Sequence, residues 1–369
     1  MGNDMTKGAV IVLTVPSGSP TMSPQDMADA QPMPLPTIDS PPTSLLEHLQ
    51  SSESQHTGVP GVVEGAAPTR KGQALDSELP PRSEPVVDPF EGAAITPDAY
   101  GTSLHPYTTM RVDTKGNNAS KTYPYAAAGK LYFKDGNASY VCSGSLIKPG
   151  VVVTAAHCVA AFGENRFYSE WQFAPAQYKS KTPFAAWSVV SATVKTSYMD
   201  GSDPCVVPGV VCENDVAVLV LKSKSYKGSL IYPGDFIGFF GYGYDGWGFT
   251  PEDLTEINQL GYPASHDSGL IMQRTDSYGD TDAGLSNNTV WGSRQTGGSS
   301  GGPELNNLGI SGSLSTPVGT YATPNVVIGV TSWGYTDANV QEQGASPFTS
   351  NNIVPLVNTA CSKVMANLF

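Results

Sequence analysis

Val151–Cys158 reads V-V-V-T-A-A-H-C. Three consecutive valines favour an extended, buried strand, because β-branched side chains fit the pleated surface. Small residues then let the chain turn, so the pattern predicts a strand that presents His157 at its end. Cys158 lies where a bridge to Cys142 would tie that turn back to the preceding strand. Such a bridge closes a loop of about fifteen residues and contributes about 3 kcal/mol in the chain-entropy description. A histidine after a strand is usually structural. The weight of His157 therefore depends on its surroundings.

Outward from this stretch, short apolar segments alternate with Gly, Asn and Pro turns. Ala126–Phe133, Tyr140–Ile147, Trp187–Thr196, Val216–Leu221, Phe236–Gly241, Glu256–Gly261, Leu270–Thr275, Thr289–Ser293 and Val326–Trp333 all read as strands. With 39 Gly, 30 Pro and only 14% charged residues in 369, the chain suits a turn-rich all-β body. Near the C-terminus Ile353, Leu356, Val357, Ala360, Val364 and Leu368 recur at helical spacing. They predict a closing helix over about 351–368, capped by Asn351 or Asn352.

Residues 1–100 have a different composition. Pro, Ser, Thr and Gly dominate, with runs such as Gln31–Thr37 (QPMPLPT) and Pro80–Pro85 (PPRSEP), and only Ser44–Leu49 hints at a helical turn. Such a segment buries too little apolar area to offset its chain entropy, so a largely disordered leader or propeptide is expected. Arg70-Lys71 is a candidate processing pair. Residues 101–369 form the expected catalytic domain.

The formal charge of −13 argues against a nucleic-acid partner, which needs a basic surface. No apolar run approaches a membrane span, and no Cys/His spacing matches structural zinc. Five cysteines is an odd number. In an oxidising compartment Cys142, Cys158, Cys205 and Cys212 form two bridges, leaving Cys361 as a thiol beside the apolar stripe of the helix. The alternative is five reduced core thiols. Lys7 and Ala9–Val15 make only a weak signal-peptide pattern.

Two further stretches carry chemistry. Glu213-Asn214-Asp215 runs into V-A-V-L-V-L, placing a carboxylate at the lip of an apolar strand. A dehydrated carboxylate persists charged only with a partner, and an imidazole N–H suits that role. Thr296–Pro303 reads T-G-G-S-S-G-G-P. Its glycines permit a sharp turn whose N–H groups converge on one point, as a tetrahedral oxyanion requires.

In this chain order, TAAHC (154–158), NDVA (214–217) and GSSGGP (298–303) resemble the chymotrypsin-like serine peptidases. Ser332-Trp333-Gly334 resembles their substrate-binding strand, and CSGSLI (142–147) a strand of their first barrel. The resemblance covers about 123–369. It implies two six-stranded antiparallel β-barrels, about 123–232 and 233–350, with the site in the cleft between them. It implies His157, Asp215 and Ser300 as the catalytic triad. Gly298 and Ser300 are the implied oxyanion donors, and Ser332, Trp333 and Gly334 the implied substrate contacts. No cofactor or metal is implied. The partners are peptide or protein substrates, and a secreted monomer made as a zymogen is expected.

LGYP (260–263) is closest to bacterial-type glutamyl-endopeptidase-like members. Trypsin-like relatives place an aspartate directly before the nucleophile to pair with a freed N-terminus; here it is Ser299. The resemblance sets Arg294 at the primary pocket floor, with Gln295 following. An arginine there favours acidic residues over basic ones. The histidine that glutamate-specific relatives carry before S-W-G is Thr331 here.

Overall fold

In the computed structural model, residues 9–39, 56, 58–70, 75–86, 105–114, 118–281, 288–309, 321–337 and 339–366 are described. Twelve strands form two barrels. The first comprises β1 (Ala128–Asp135), β2 (Ala138–Lys148), β3 (Val151–Thr154), β4 (Ser169–Pro175), β5 (Trp187–Lys195) and β6 (Ala217–Leu221). They close in the order β1-β2-β3-β6-β5-β4 and back to β1, every pair antiparallel. The second comprises β7 (Leu254–Gly261), β8 (Gln273–Thr281), β9 (Thr289–Gly292), β10 (Pro303–Asn306), β11 (Val326–Tyr335) and β12 (Glu342–Pro347). It closes as β7-β8-β9-β12-β11-β10, the same strand order.

Buried apolar runs account for several of these strands, among them β3, β6 and β11, and closure pairs each strand on both sides. Three were not legible as strands. β4 (SEWQFAP), β10 (PELN) and β12 (EQGASP) carry proline, acids or amides where an apolar pattern is normally read. Each forms because two neighbours already hold its place in a closed sheet. The predicted strand at Phe236–Gly241 is different: Gly234–Ile237 is a short helix, ended by Gly238 at φ +78°.

The helix Ile353–Ala366 follows the second barrel but packs on the first, against β3, β5 and β6. Ile353, Leu356, Val357 and Ala360 join the first barrel's apolar core. Asn352 precedes its first turn, and its side chain accepts the Thr349 N–H at 2.7 Å.

The described leader segments are more ordered than their composition predicts. Val10–Thr14 adds antiparallel to β5 along Ser191–Lys195. Ser23 caps a helix, Pro24–Asp29, with a reciprocal capping box to Asp26. Met22, Met27 and Ala30 pack on Tyr132, Val141 and Ala174 of the first barrel. Further along, Gly61–Val63 pairs with Tyr242–Tyr244, and Ser77-Glu78 with Lys181-Thr182. Among the described residues, these segments pack their apolar side chains on the first barrel and pair with strands of the body, a resource that their composition does not show. The helical hint at 44–49 and Lys71 lie outside the described residues.

Candidate active site

The Thr154–Cys158 turn is fixed from two sides. β3 pairs Thr154 with Ala217 at the start of β6, and a disulfide joins Cys158 to Cys142 on β2. A second disulfide, Cys205–Cys212, closes a small hairpin just before Asp215. Cys361 is a half-buried thiol whose pKa burial pushes up.

His157 and Asp215 are both buried, at 6% and 1% exposure. One Asp215 oxygen accepts the His157 backbone N–H at 2.8 Å; the other lies 2.7 Å from His157 Nδ1. The second oxygen also accepts the Ser332 hydroxyl. The Asp215 N–H donates to Ser346 Oγ at 3.1 Å, and the Ser346 hydroxyl in turn donates to the Cys212 carbonyl at 2.6 Å. One carboxylate thus takes donors from both barrels, which fixes the imidazole orientation. Among the described residues, His157 Nε2 and Ser300 Oγ are buried without a hydrogen-bond partner. Buried polar atoms are seldom left so, and a catalytic role is one of the explanations for those that are.

The serine turn is held by neighbours that exclude side chains. Gly298 (φ +90°) and Gly301 (φ +76°) adopt left-handed backbone. A Cβ on Gly301 would meet Thr154 Oγ1 at 1.9 Å and Ala155 N at 2.8 Å. The serine turn therefore abuts the residues leading to His157 with no room to spare. Ser143 links the barrels here: its N–H donates to the Ser300 carbonyl at 2.8 Å, and its hydroxyl to the Gly298 carbonyl at 2.8 Å. Ser299, at the position discussed above, donates to the Thr296 carbonyl at 2.8 Å and accepts from Gln343 at 3.3 Å. Its hydroxyl is satisfied locally, so the turn needs no ion pair to hold its shape.

The predicted substrate contacts divide. Gly334 lies on β11 with its N–H directed out of the strand to the leader's Pro36 carbonyl, at 2.9 Å. Trp333 is fully buried and donates from Nε1 to Asn288 at 2.8 Å. Ser332 directs its hydroxyl at Asp215, which leaves its backbone groups on β11. Thr331 joins a buried amide network, with Gln259 Nε2 2.8 Å from Thr331 Oγ1 and 2.7 Å from Gln343 Oε1. Gln295 donates to Thr275 at 3.0 Å, and its Oε1 is buried without a partner among the described residues. Arg294 is half-buried and close enough to Tyr107 to influence its ionisation.

Sequence reading missed Ser143 and Asp203. Asp203, buried, accepts the Asn214 N–H at 2.9 Å and so fixes the residue before Asp215. No local pattern marks it, since its partner lies eleven residues on, across the disulfide hairpin. Two groupings have the residue types of a metal site: Cys142, His157 and Cys158, and Asp203, Cys205 and Cys212. All four of those cysteines are disulfide sulfurs, so each grouping retains a single ordinary ligand.

Comparisons with known proteins agree with this architecture. The structure of protease Anisep from Arthrobacter nicotinovorans aligns at TM-score 0.51 and 21% identity, over 66% of this chain and 97% of that one. The thermostable serine protease AL20 aligns at 0.50 and 20%, over 66% and 99%. Both show the same fold. The extracellular metalloprotease of Bacillus subtilis strain 168 is 26% identical over 174 residues, 44% of this chain, which spans about half that relative's length. The trypsin family model matches residues 115–353, well over half of the sequence, and the chain belongs to the trypsin family of serine endopeptidases.

Proposed function

We propose that the chain is a secreted endopeptidase that hydrolyses peptide bonds through an acyl-enzyme on Ser300. Ser300 Oγ attacks the scissile carbonyl while His157 Nε2 takes its proton. The imidazole later returns that proton to the leaving amine. Asp215 holds the Nδ1–H tautomer and stabilises the imidazolium. The N–H groups of Gly298 and Ser300 receive the oxyanion, a contribution of about 3 kcal/mol per donor. The observation that carries this reading is the Asp215 carboxylate. One of its oxygens accepts the His157 backbone N–H, the other meets both His157 Nδ1 and the Ser332 hydroxyl, and Nε2 is the ring nitrogen that remains for chemistry.

Gly334 offers its N–H to an extended peptide, as strand addition requires. Arg294, half-buried beside the serine turn, supports a preference for acidic residues before the cut. Two disulfides support export to an oxidising compartment, and a leader folded onto the body supports synthesis as a zymogen. Digestion of a diverse peptide library, run beside Ser300→Ala, tests the reading. Cuts made by the wild type alone, after Glu or Asp, are expected. Equal cutting by Ser300→Ala refutes the assigned nucleophile, and cuts after Lys or Arg refute the role of Arg294.

A further inference from the structure

Residues 31–38 of the leader cross the candidate site. Gln31 and Pro32 run parallel to Tyr140 and Val141 of β2, and the Met33 N–H donates to the Val141 carbonyl at 2.9 Å. The Gly298 N–H then donates to the Met33 carbonyl at 3.1 Å. Further on, the Gly334 N–H donates to the Pro36 carbonyl at 2.9 Å, and Thr37 and Ile38 run parallel to Gly334 and Tyr335 of β11. The Thr336 N–H closes the series on the Ile38 carbonyl at 3.0 Å. Ile38 packs with Trp333, Tyr335, Val211 and Val290. Leu35 lies so close over Gly334 that a Cβ there would come within 2.8 Å of it.

From these contacts we infer that residues 31–38 form an autoinhibitory strap, lying in the substrate groove in the direction opposite to a substrate. The inference rests on the peptidase reading above. The direction follows from the chemistry. A leaving amine is on the C-terminal side of the scissile carbonyl and must receive its proton from His157. A productive chain therefore departs past His157 toward the first barrel, near Val141 and the Cys142–Cys158 bridge, with its acyl part along β11. The strap does the reverse: the residues before the Met33 carbonyl lie on β2, and those after it lie on β11. Its carbonyl occupies an oxyanion donor while its amide nitrogen lies on the wrong side for protonation.

The Q-P-M-P-L-P-T sequence suits this role. Pro32, Pro34 and Pro36 hold an extended chain in advance, so little entropy is lost on docking. The bond after Met33 is a tertiary amide whose nitrogen bears no hydrogen. Prolines cannot donate, and beyond the Met33 N–H bond to Val141 the hydrogen bonds run from Gly298, Gly334 and Thr336 to strap carbonyls. The strap is also tethered. Arg82 donates to the Ala30 and Asp29 carbonyls at 3.1 and 3.2 Å, and Ser83 binds the Asp29 carboxylate. Together with Val10–Thr14 on β5, this gives the strap a high effective concentration.

The test uses full-length chains: wild type, Leu35→Asp/Ile38→Asp, Arg82→Ala and Ser300→Ala. Each is mixed with a fluorescent fluorophosphonate, and amide exchange is followed at Gly298, Gly334 and Thr336. The double variant is expected to label at least tenfold faster than wild type, with these amides deprotected. Arg82→Ala, which loosens only the tether, should give a smaller rise, and Ser300→Ala no label. Equal labelling of wild type and double variant, with the amides released, overturns the inhibition. Amides that stay protected in the double variant overturn the assigned contacts. Released amides with no labelling in any chain instead refute Ser300 as nucleophile, which separates that failure from failure of the strap. Intact masses should show no cut between residues 31 and 38; a cut after Met33 contradicts the reversed direction.

Discussion

The two barrels share one strand order but are filled differently. The first is packed with Leu131, Phe133, Leu146, Val152, Phe173, Trp187, Val218 and Leu219, all fully buried, in an apolar core that continues into the second barrel through Leu260, Leu305, Val327 and Val330. In the second, Gln259, Thr331, Gln343, Ser293 and Ser299 form a hydrogen-bonded network, and the carboxyl of Glu304 is buried at 1% exposure. The first barrel carries the His157–Asp215 pair. The second carries the serine turn, with the polar network behind it.

The strongest way to break this division is Asp215→Asn. It leaves the first core intact but removes the charge that fixes the histidine tautomer, so kcat is expected to fall by about 10⁴ with little change in melting temperature. A fall of less than about tenfold means that the first barrel does not hold the catalytic base.

The second barrel should reveal its buried charges through pH. His105 is buried between Asp280 (3.1 Å) and Glu342 (2.8 Å). Burial opposes its protonation, but the hydrogen bonds and charges of the two acids outweigh it and raise the pKa to about 9. A raised histidine pKa stabilises the fold fully below about pH 6.5, and that contribution is lost as pH rises through about 9. Thermal unfolding of wild type and His105→Asn between pH 6 and 10 should show the variant less stable by up to about 3 kcal/mol at pH 6. The difference should shrink toward pH 10. A pH-independent difference contradicts the ion cluster.

Glu304 provides the smallest and sharpest test. Burial alone pushes its pKa well above the usual carboxylate range, and its Oε1 has no partner among the described residues. Such a group favours the fold below its unfolded pKa of about 4.3 and increasingly penalises it as pH rises above that. Glu304→Gln should therefore raise stability at pH 7, by about 1 kcal/mol, and flatten the pH slope above pH 5. A destabilised Gln variant at pH 7 would mean that the carboxylate has an ionic role in this core.

The sequence was most legible where one side chain type decides the outcome. The valines at 151–153 and the apolar run at 216–221 specify strands by themselves, and the glycines of 297–302 specify a turn. β10 and β12 were illegible because Glu304, Gln343 and Ser346 are buried polar residues, and the partners of Gln343 and Ser346 come from segments distant in sequence. The same reason hid Ser143, whose two bonds to the serine turn span about 150 residues. Ser332 was legible as part of a strand, but its hydroxyl contact with Asp215 appears only once the barrels face each other. The described segments of residues 1–100 owe their order to docking on the barrels, which composition does not record, because it shows only what a segment can bury alone.

The most direct test of the account is to identify the residue that carries the acyl group. The Leu35→Asp/Ile38→Asp chain, mixed with a peptide p-nitrophenyl ester and quenched in acid, should show a burst approaching one nitrophenolate per chain. The acyl mass should map to the peptide containing Ser300 and be absent after Ser300→Ala. Steady hydrolysis with no adduct on Ser300, or an adduct that survives Ser300→Ala, would contradict it.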